Sequence, residues 1–118
     1  MRFSRVFYSG ILLVAFMGCG VTAPAQVDES VRITFLDVGQ GDAVLIRSPE
    51  GQTALVDAGW SSPVTTLRAL DVDEIDLLVA THPHADHIGG IADVINSIPV
   101  HFYMDNGQSH TTTTYQDL

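Results

Sequence analysis

The chain has 118 residues and a formal net charge of −9, set by five arginines, no lysine and fourteen acidic side chains. That balance excludes a surface that tracks nucleic-acid phosphates unaided, since such surfaces need clustered Lys and Arg. The single cysteine, Cys19, excludes an internal disulfide framework.

Residues 1–25 read as a secretory signal peptide. Arg2 and Arg5 make a basic start, residues 6–18 are apolar, and Ala23-Pro24-Ala25 before Gln26 fits a small-x-small cleavage site. The apolar stretch is shorter than the ~18–20 residues of a membrane span, so no integral span is expected. Met17-Gly18-Cys19 offers a variant, a lipoprotein box ending at a lipid-anchored Cys19, although Phe16 is a poor residue for that box. Either way the product is expected outside the cytoplasm, secreted or periplasmic, with the fold in residues 26–118. Loss of Arg2 and Arg5 leaves three arginines against fourteen acids, a net charge of −11.

Val31-Arg32-Ile33-Thr34-Phe35 alternates apolar and polar residues, which predicts a strand with one buried face. In Asp37-Val38-Gly39-Gln40-Gly41-Asp42, the two glycines permit a sharp bend or a close backbone approach. A second strand over 43–46, a turn at Pro49-Glu50-Gly51 and a third strand over 53–56 predict an antiparallel opening. Asp57 ends that third strand, and by position alone it is a turn former. Asp42 has two readings, contact with substrate or a ligand, and support of a tight turn. Ser62-Pro63 predicts an N-cap and first helical residue for a helix over 64–70, with Trp60 as packing or a pocket wall. Asp71, Asp73, Glu74 and Asp76 read as a solvated connector into a buried strand over 75–80.

The chemistry concentrates directly after that strand, in Thr81-His82-Pro83-His84-Ala85-Asp86-His87-Ile88-Gly89-Gly90. The end of a strand is the usual place for a site in α/β folds. One histidine would fit a polar loop, but four ligand-type side chains within six positions point to metal. In extended backbone His82 and His84 face the same way and converge on one ion, with Pro83 stiffening the presentation. A turn at Ala85-Asp86 would turn Asp86 and His87 toward a second ion. Two adjacent divalent ions are a familiar hydrolytic device, in which Asp86 also orients the attacking water. A helix over 91–97 and a strand over 100–104 follow. His101 reads as a structural histidine, and nothing in the spacing assigns His110 to the site.

His82-x-His84-x-Asp86-His87 resembles the signature of the metallo-β-lactamase-fold hydrolases. The stretches 35–43 and 55–59, containing Asp-Val-Gly-Gln-Gly-Asp and Val-Asp-Ala-Gly, are similar to the branch that holds the hydrolase domain of the competence protein ComEC. The resemblance covers 31–118. It implies an α/β (α+β) αβ/βα sandwich, here its N-terminal portion only, since such domains are about twice as long. It implies two zinc ions, with manganese or iron as alternatives, and a supporting role for Asp57, orienting a ligand histidine or the metal loop. The remaining metal ligands would come from the later half, whose absence would leave an apolar sheet face open.

Thr113-Thr114-Tyr115-Gln116 has the form of a capping box, a helix start just before the last residue, Leu118. The resulting expectation is an extracytoplasmic metal-dependent hydrolase of phosphodiesters. Nucleic acid lies within that substrate class but is not supported by the charge, and small phosphodiesters and other small molecules remain. A lactam, lactone or thioester hydrolase of the same fold is one rival reading. A truncated, non-catalytic metal-binding or interaction module is another.

Overall fold

The computed structural model describes residues 30–116, so the leader over 1–25 and the reading of Cys19 lie outside the described residues. The order is β1 (Arg32–Phe35), β2 (Val44–Arg47), β3 (Thr53–Val56), α1 (Val64–Ala69), β4 (Ile75–Val79), α2 (Ala85–Ile88), α3 (Ile91–Ser97), β5 (Val100–Met104) and α4 (Thr113–Gln116). Strands β1 to β5 form one sheet in sequence order. The first three are antiparallel, as expected, and β4 and β5 continue parallel to β3. This mixed sheet with helical crossovers is the α/β architecture expected from the sequence.

Parallel neighbours need crossovers, and right-handed crossovers that advance in one direction along a sheet lie on one face. By that rule the connections from β3 to β4 and from β4 to β5 share a face, and α1 and α3 are indeed in contact. Beneath them Leu45, Leu55 and Leu78, register partners across β2, β3 and β4, form the centre of the core. Leu67 of α1, Ile88 of α2, and Ile91 and Val94 of α3 close over that row, all fully buried or nearly so. Each such side chain contributes about 1.5–3 kcal/mol by burial.

The opposite face carries two apolar rows. Ile33, Ile46, Ala54, Leu77 and Phe102 form one, and Phe35, Val44, Val56, Val79 and Met104 the other. Their ends are open to solvent, with Phe35 78% and Phe102 71% exposed. The alternation of β1 therefore marks an apolar face but not one that the helices cover. Burial at the end of β1 falls instead on Leu36 and Val38.

Two helix starts differ from expectation. Pro63, not Ser62, occupies the N-cap of α1, and its carbonyl accepts the first helical bond from Leu67. In α4 the carbonyl of Thr112 accepts from Tyr115 and Gln116, so the helix begins one residue earlier than the capping box implies. Asp76 is no solvated connector: its Oδ2 accepts from the backbone N of Thr53 at 2.7 Å and ties the starts of β3 and β4. No helix among the described residues is long and apolar enough to cross a membrane.

Candidate metal centre

β3 and β4 run parallel, so the loops after both leave the same edge of the sheet. Asp57 sits just past β3, where its backbone N donates to Val79 O at 2.8 Å. The chain then turns sharply, and Asp57 adopts the left-handed region at φ 58°. An L-residue is held there only when its surroundings over-determine it. Here they do, because the residue is 2% exposed and its side chain has three polar partners. Oδ1 accepts from the backbone N of Thr81 at 2.8 Å, and Oδ2 accepts from Thr81 Oγ1 at 2.7 Å. Oδ2 also lies 2.8 Å from His87 Nδ1.

These contacts settle two tautomers. A carboxylate only accepts, so His87 carries its proton on Nδ1 and leaves Nε2 with a free lone pair. The Thr81 hydroxyl has one proton and gives it to Asp57. Its oxygen is therefore an acceptor for His82 Nδ1, 3.1 Å away, and His82 Nε2 is bare as well. One buried carboxylate thus fixes two imidazoles in the form a metal binds.

The loop geometry departs from the extended strand expected at 82–84. His84 N donates to His82 O at 3.0 Å, an i to i+2 bond that makes Pro83 the centre of a tight turn. That turn sets the His82 and His84 ring centroids 4.7 Å apart. His84 then caps α2 in extended backbone, accepting at its carbonyl from His87 and Ile88. The helical turn brings His87 back, with its ring centroid 4.0 Å from that of His82. The turn expected at Ala85-Asp86 thus brings His87 against His82. His84 and Asp86 make no side-chain hydrogen bond among the described residues, and His84 is exposed.

The neighbouring loops pack backbone to backbone. Ala58 N donates to His87 O, Gly59 N to Asp42 O and Trp60 N to Gln40 O. Gly41, at φ +91°, lies so close that a Cβ there would stand 1.5 Å from Asp86 O. A Cβ on Gly90 would stand 2.4 Å from Ala58 O. Asp42 is 70% exposed with its Oδ2 3.8 Å from His87 Nδ1, at the rim of the cluster.

His82, His84, Asp86, His87, Asp57 and Asp42 therefore all lie at one sheet edge. Imidazole and carboxylate are the donor types of zinc and related ions, and the tautomers suit them. No group of three His, Cys, Asp or Glu among the described residues is yet arranged to hold an ion, although the His82 ring stands against both His84 and His87. His101 stands apart, 3.1 Å from Glu74 Oε2. Three residues gain roles that spacing did not signal. Thr81 links the two histidine anchors. Asn106 Nδ2 donates to Thr81 O at 2.9 Å. His110 stands against His84, ring centroids 5.8 Å apart. For Asn106 and His110 the sequence cue is that β5 is followed by turn residues, Asp105-Asn106-Gly107, at the same edge.

Residues 36–114 match the metallo-beta-lactamase superfamily. Over 57 residues the chain is 39% identical to a hydroxyacylglutathione hydrolase from Vibrio campbellii, covering 47% of this chain and 22% of that protein. It is 32% identical over 68 residues to a metal-dependent hydrolase from Aeropyrum pernix, covering 58% and 26% respectively. A ribonuclease Z from the same organism is 37% identical over 76 residues, covering 54% and 24%. The chain thus spans about a quarter of the length of these relatives.

Proposed function

The chain belongs to the metallo-beta-lactamase superfamily, and from that premise we propose that it serves an extracytoplasmic, metal-dependent hydrolase that cleaves phosphodiester bonds. The observation that carries this reading is the double anchoring by Asp57, which presents His82 and His87 with bare Nε2 atoms beside His84 and Asp86. His82, His84, Asp86 and His87 would hold zinc, and Asp86 would also orient the attacking water. A bound divalent ion supplies acidified water and polarises the scissile bond. Asp57 keeps the two imidazoles in one tautomer and one orientation, and Asp42 at the rim faces the substrate.

The choice of bond rests on the Asp-Val-Gly-Gln-Gly-Asp stretch, which resembles the ComEC branch, and on the likeness to a protein named ribonuclease Z. The strongly acidic chain favours a small phosphodiester over a long nucleic acid, whose phosphates it would repel. Export is supported by the basic, apolar and small-residue order of residues 1–25. A second reading, hydrolysis of a hydroxyacylglutathione-like ester, is favoured by the likeness to the Vibrio campbellii protein.

The test combines metal content with turnover. The purified protein is expected to bind zinc, to lose most of it in His84→Ala, and to cleave bis(p-nitrophenyl) phosphate faster than lactoylglutathione or a chromogenic lactam. Equal zinc in parent and H84A would refute the metal assignment. Preference for the thioester would replace the phosphodiester with the second reading.

A further inference from the structure

The segment after β5 leans on the metal loop at Thr81 and His84. Asn106 Nδ2 donates to Thr81 O, so this segment is tied to the same residue that Asp57 holds. Gly107, at φ +71°, and the Asp105 and Asn106 side chains, which accept from Gly107 N and Gln108 N, fold it back on itself. His110 is thereby carried to His84, edge to face at an interplanar angle of 84°.

Its protonation pattern is the reverse of its neighbours'. His110 Nδ1 accepts from the backbone N of Thr112 at 3.3 Å, with Thr112 Oγ1 also 3.1 Å away. A ring nitrogen that accepts from a backbone N–H carries no proton, so the neutral ring has its proton on Nε2. His82 and His87 give Nδ1 to acceptors and keep Nε2 bare, as ligands must. His110 keeps Nδ1 occupied and offers an Nε2–H, which donates a hydrogen bond and does not ligate.

We infer that His110 is a substrate-binding donor of this site, giving its Nε2–H to an anionic oxygen of the substrate, of the phosphoryl class, held beside His84. The inference rests on the metal-hydrolase reading above. It goes beyond that reading by assigning a specificity role to a residue outside the histidine cluster. An acidic chain has few cations to receive an anionic group, with three arginines among the described residues. Arg47 and Arg68 give guanidinium bonds to the carbonyls of Leu70 and Ser97, away from the metal loop. A neutral imidazole donor at the sheet edge supplies recognition that charge does not.

The test compares zinc-loaded parent, His110→Asn and His110→Gln, with inorganic phosphate as the titrant and bis(p-nitrophenyl) phosphate as the substrate. Asn keeps an acceptor near the place of Nδ1 and so keeps the Thr112 contact, but it removes the Nε2 donor. Gln keeps a donor near the place of Nε2. H110N is expected to bind phosphate about tenfold more weakly and to raise KM by a similar factor, as for one lost hydrogen bond to a charged group. Its zinc content should equal the parent's, and H110Q should recover most of the loss. Equal phosphate affinity in parent and H110N, both zinc-loaded, overturns the inference alone. Loss of zinc in H110N overturns it in favour of ligation. A parent that takes up no zinc overturns the metal-hydrolase reading itself, and the inference with it.

Discussion

Replacing Asp57 by Asn separates its structural role from its chemical one. The residue is 2% exposed, and its side chain receives bonds of 2.8, 2.7 and 2.8 Å from Thr81 N, Thr81 Oγ1 and His87 Nδ1. Asn has the same shape and tolerates the left-handed backbone at φ 58° better than most residues. Its Oδ1 must face the Thr81 N–H, which forces its NH₂ toward His87 Nδ1 and Thr81 Oγ1. His87 Nδ1 then becomes an acceptor and the proton moves to Nε2. The Thr81 hydroxyl, now receiving a bond from Asn, turns its own proton toward His82 Nδ1 and shifts that ring as well. Both ligand nitrogens are blocked by one isosteric change.

The fold should survive, because all three contacts remain as neutral hydrogen bonds; a loss of about 1–2 kcal/mol is expected. Zinc affinity should fall 10–100-fold, the usual effect of losing the group that orients a ligand histidine. Asp57→Ala removes the acceptor altogether and takes from the Thr81 N–H and the half-buried His87 Nδ1–H their hydrogen-bond partner. At about 1.5–3 kcal/mol for each bond to a charged group, discounted for non-additivity, it should cost about 4 kcal/mol. Zinc competition against a chromogenic chelator, with urea unfolding on the same samples, measures both. A D57N protein that binds zinc as tightly as the parent would refute the tautomer argument.

Further outcomes are expected elsewhere. Gly41→Ala should destabilise by about 3 kcal/mol, since its Cβ would meet Asp86 O and neither backbone can yield freely. Gly39→Ala, with nothing within 4 Å of its Cβ, should cost only about 1–2 kcal/mol for its left-handed backbone; equal losses in urea unfolding would count against the close-approach reading. Leu78→Ala, in a fully buried position, should cost about 2–5 kcal/mol by the same measurement. Desolvation, helped by the Asp105 carboxylate, holds the Tyr103 phenol above the usual tyrosine value. The folded state therefore keeps that proton more tightly than the unfolded chain, so the contribution is complete below pH about 10 and is lost as pH rises beyond it. Thermal midpoints taken through that range should decline less in Tyr103→Phe, and identical declines would remove Tyr103 as a cause.

Periodicity and punctuation along the chain predict strands at β1 to β5 and helices at α1 and α3, with the ligand cluster after β4. These are local properties: a two-residue alternation, a run of apolar residues, or four donor side chains in six positions acts over a few residues. The exceptions are instructive. Asp76 looks like one acid among several in a connector, yet it fastens Thr53, 23 residues away. Ser62 looks like a cap, but the backbone of Pro63 takes that place.

The sequence by itself therefore determines that strands and helices alternate after an antiparallel opening, and that His82, His84, Asp86 and His87 arrive together. The tertiary structure alone decides which face of β1 meets the helices, since alternation does not say where the next layer lies. It also decides that Asp57 reaches Thr81 and His87, 24 and 30 residues on, and that His110 returns to His84. Those meetings follow from the parallel register of β3, β4 and β5, which delivers three loops to one edge. A proton's position on an imidazole depends on the atom facing it across that edge, and only the packed sheet brings that atom there.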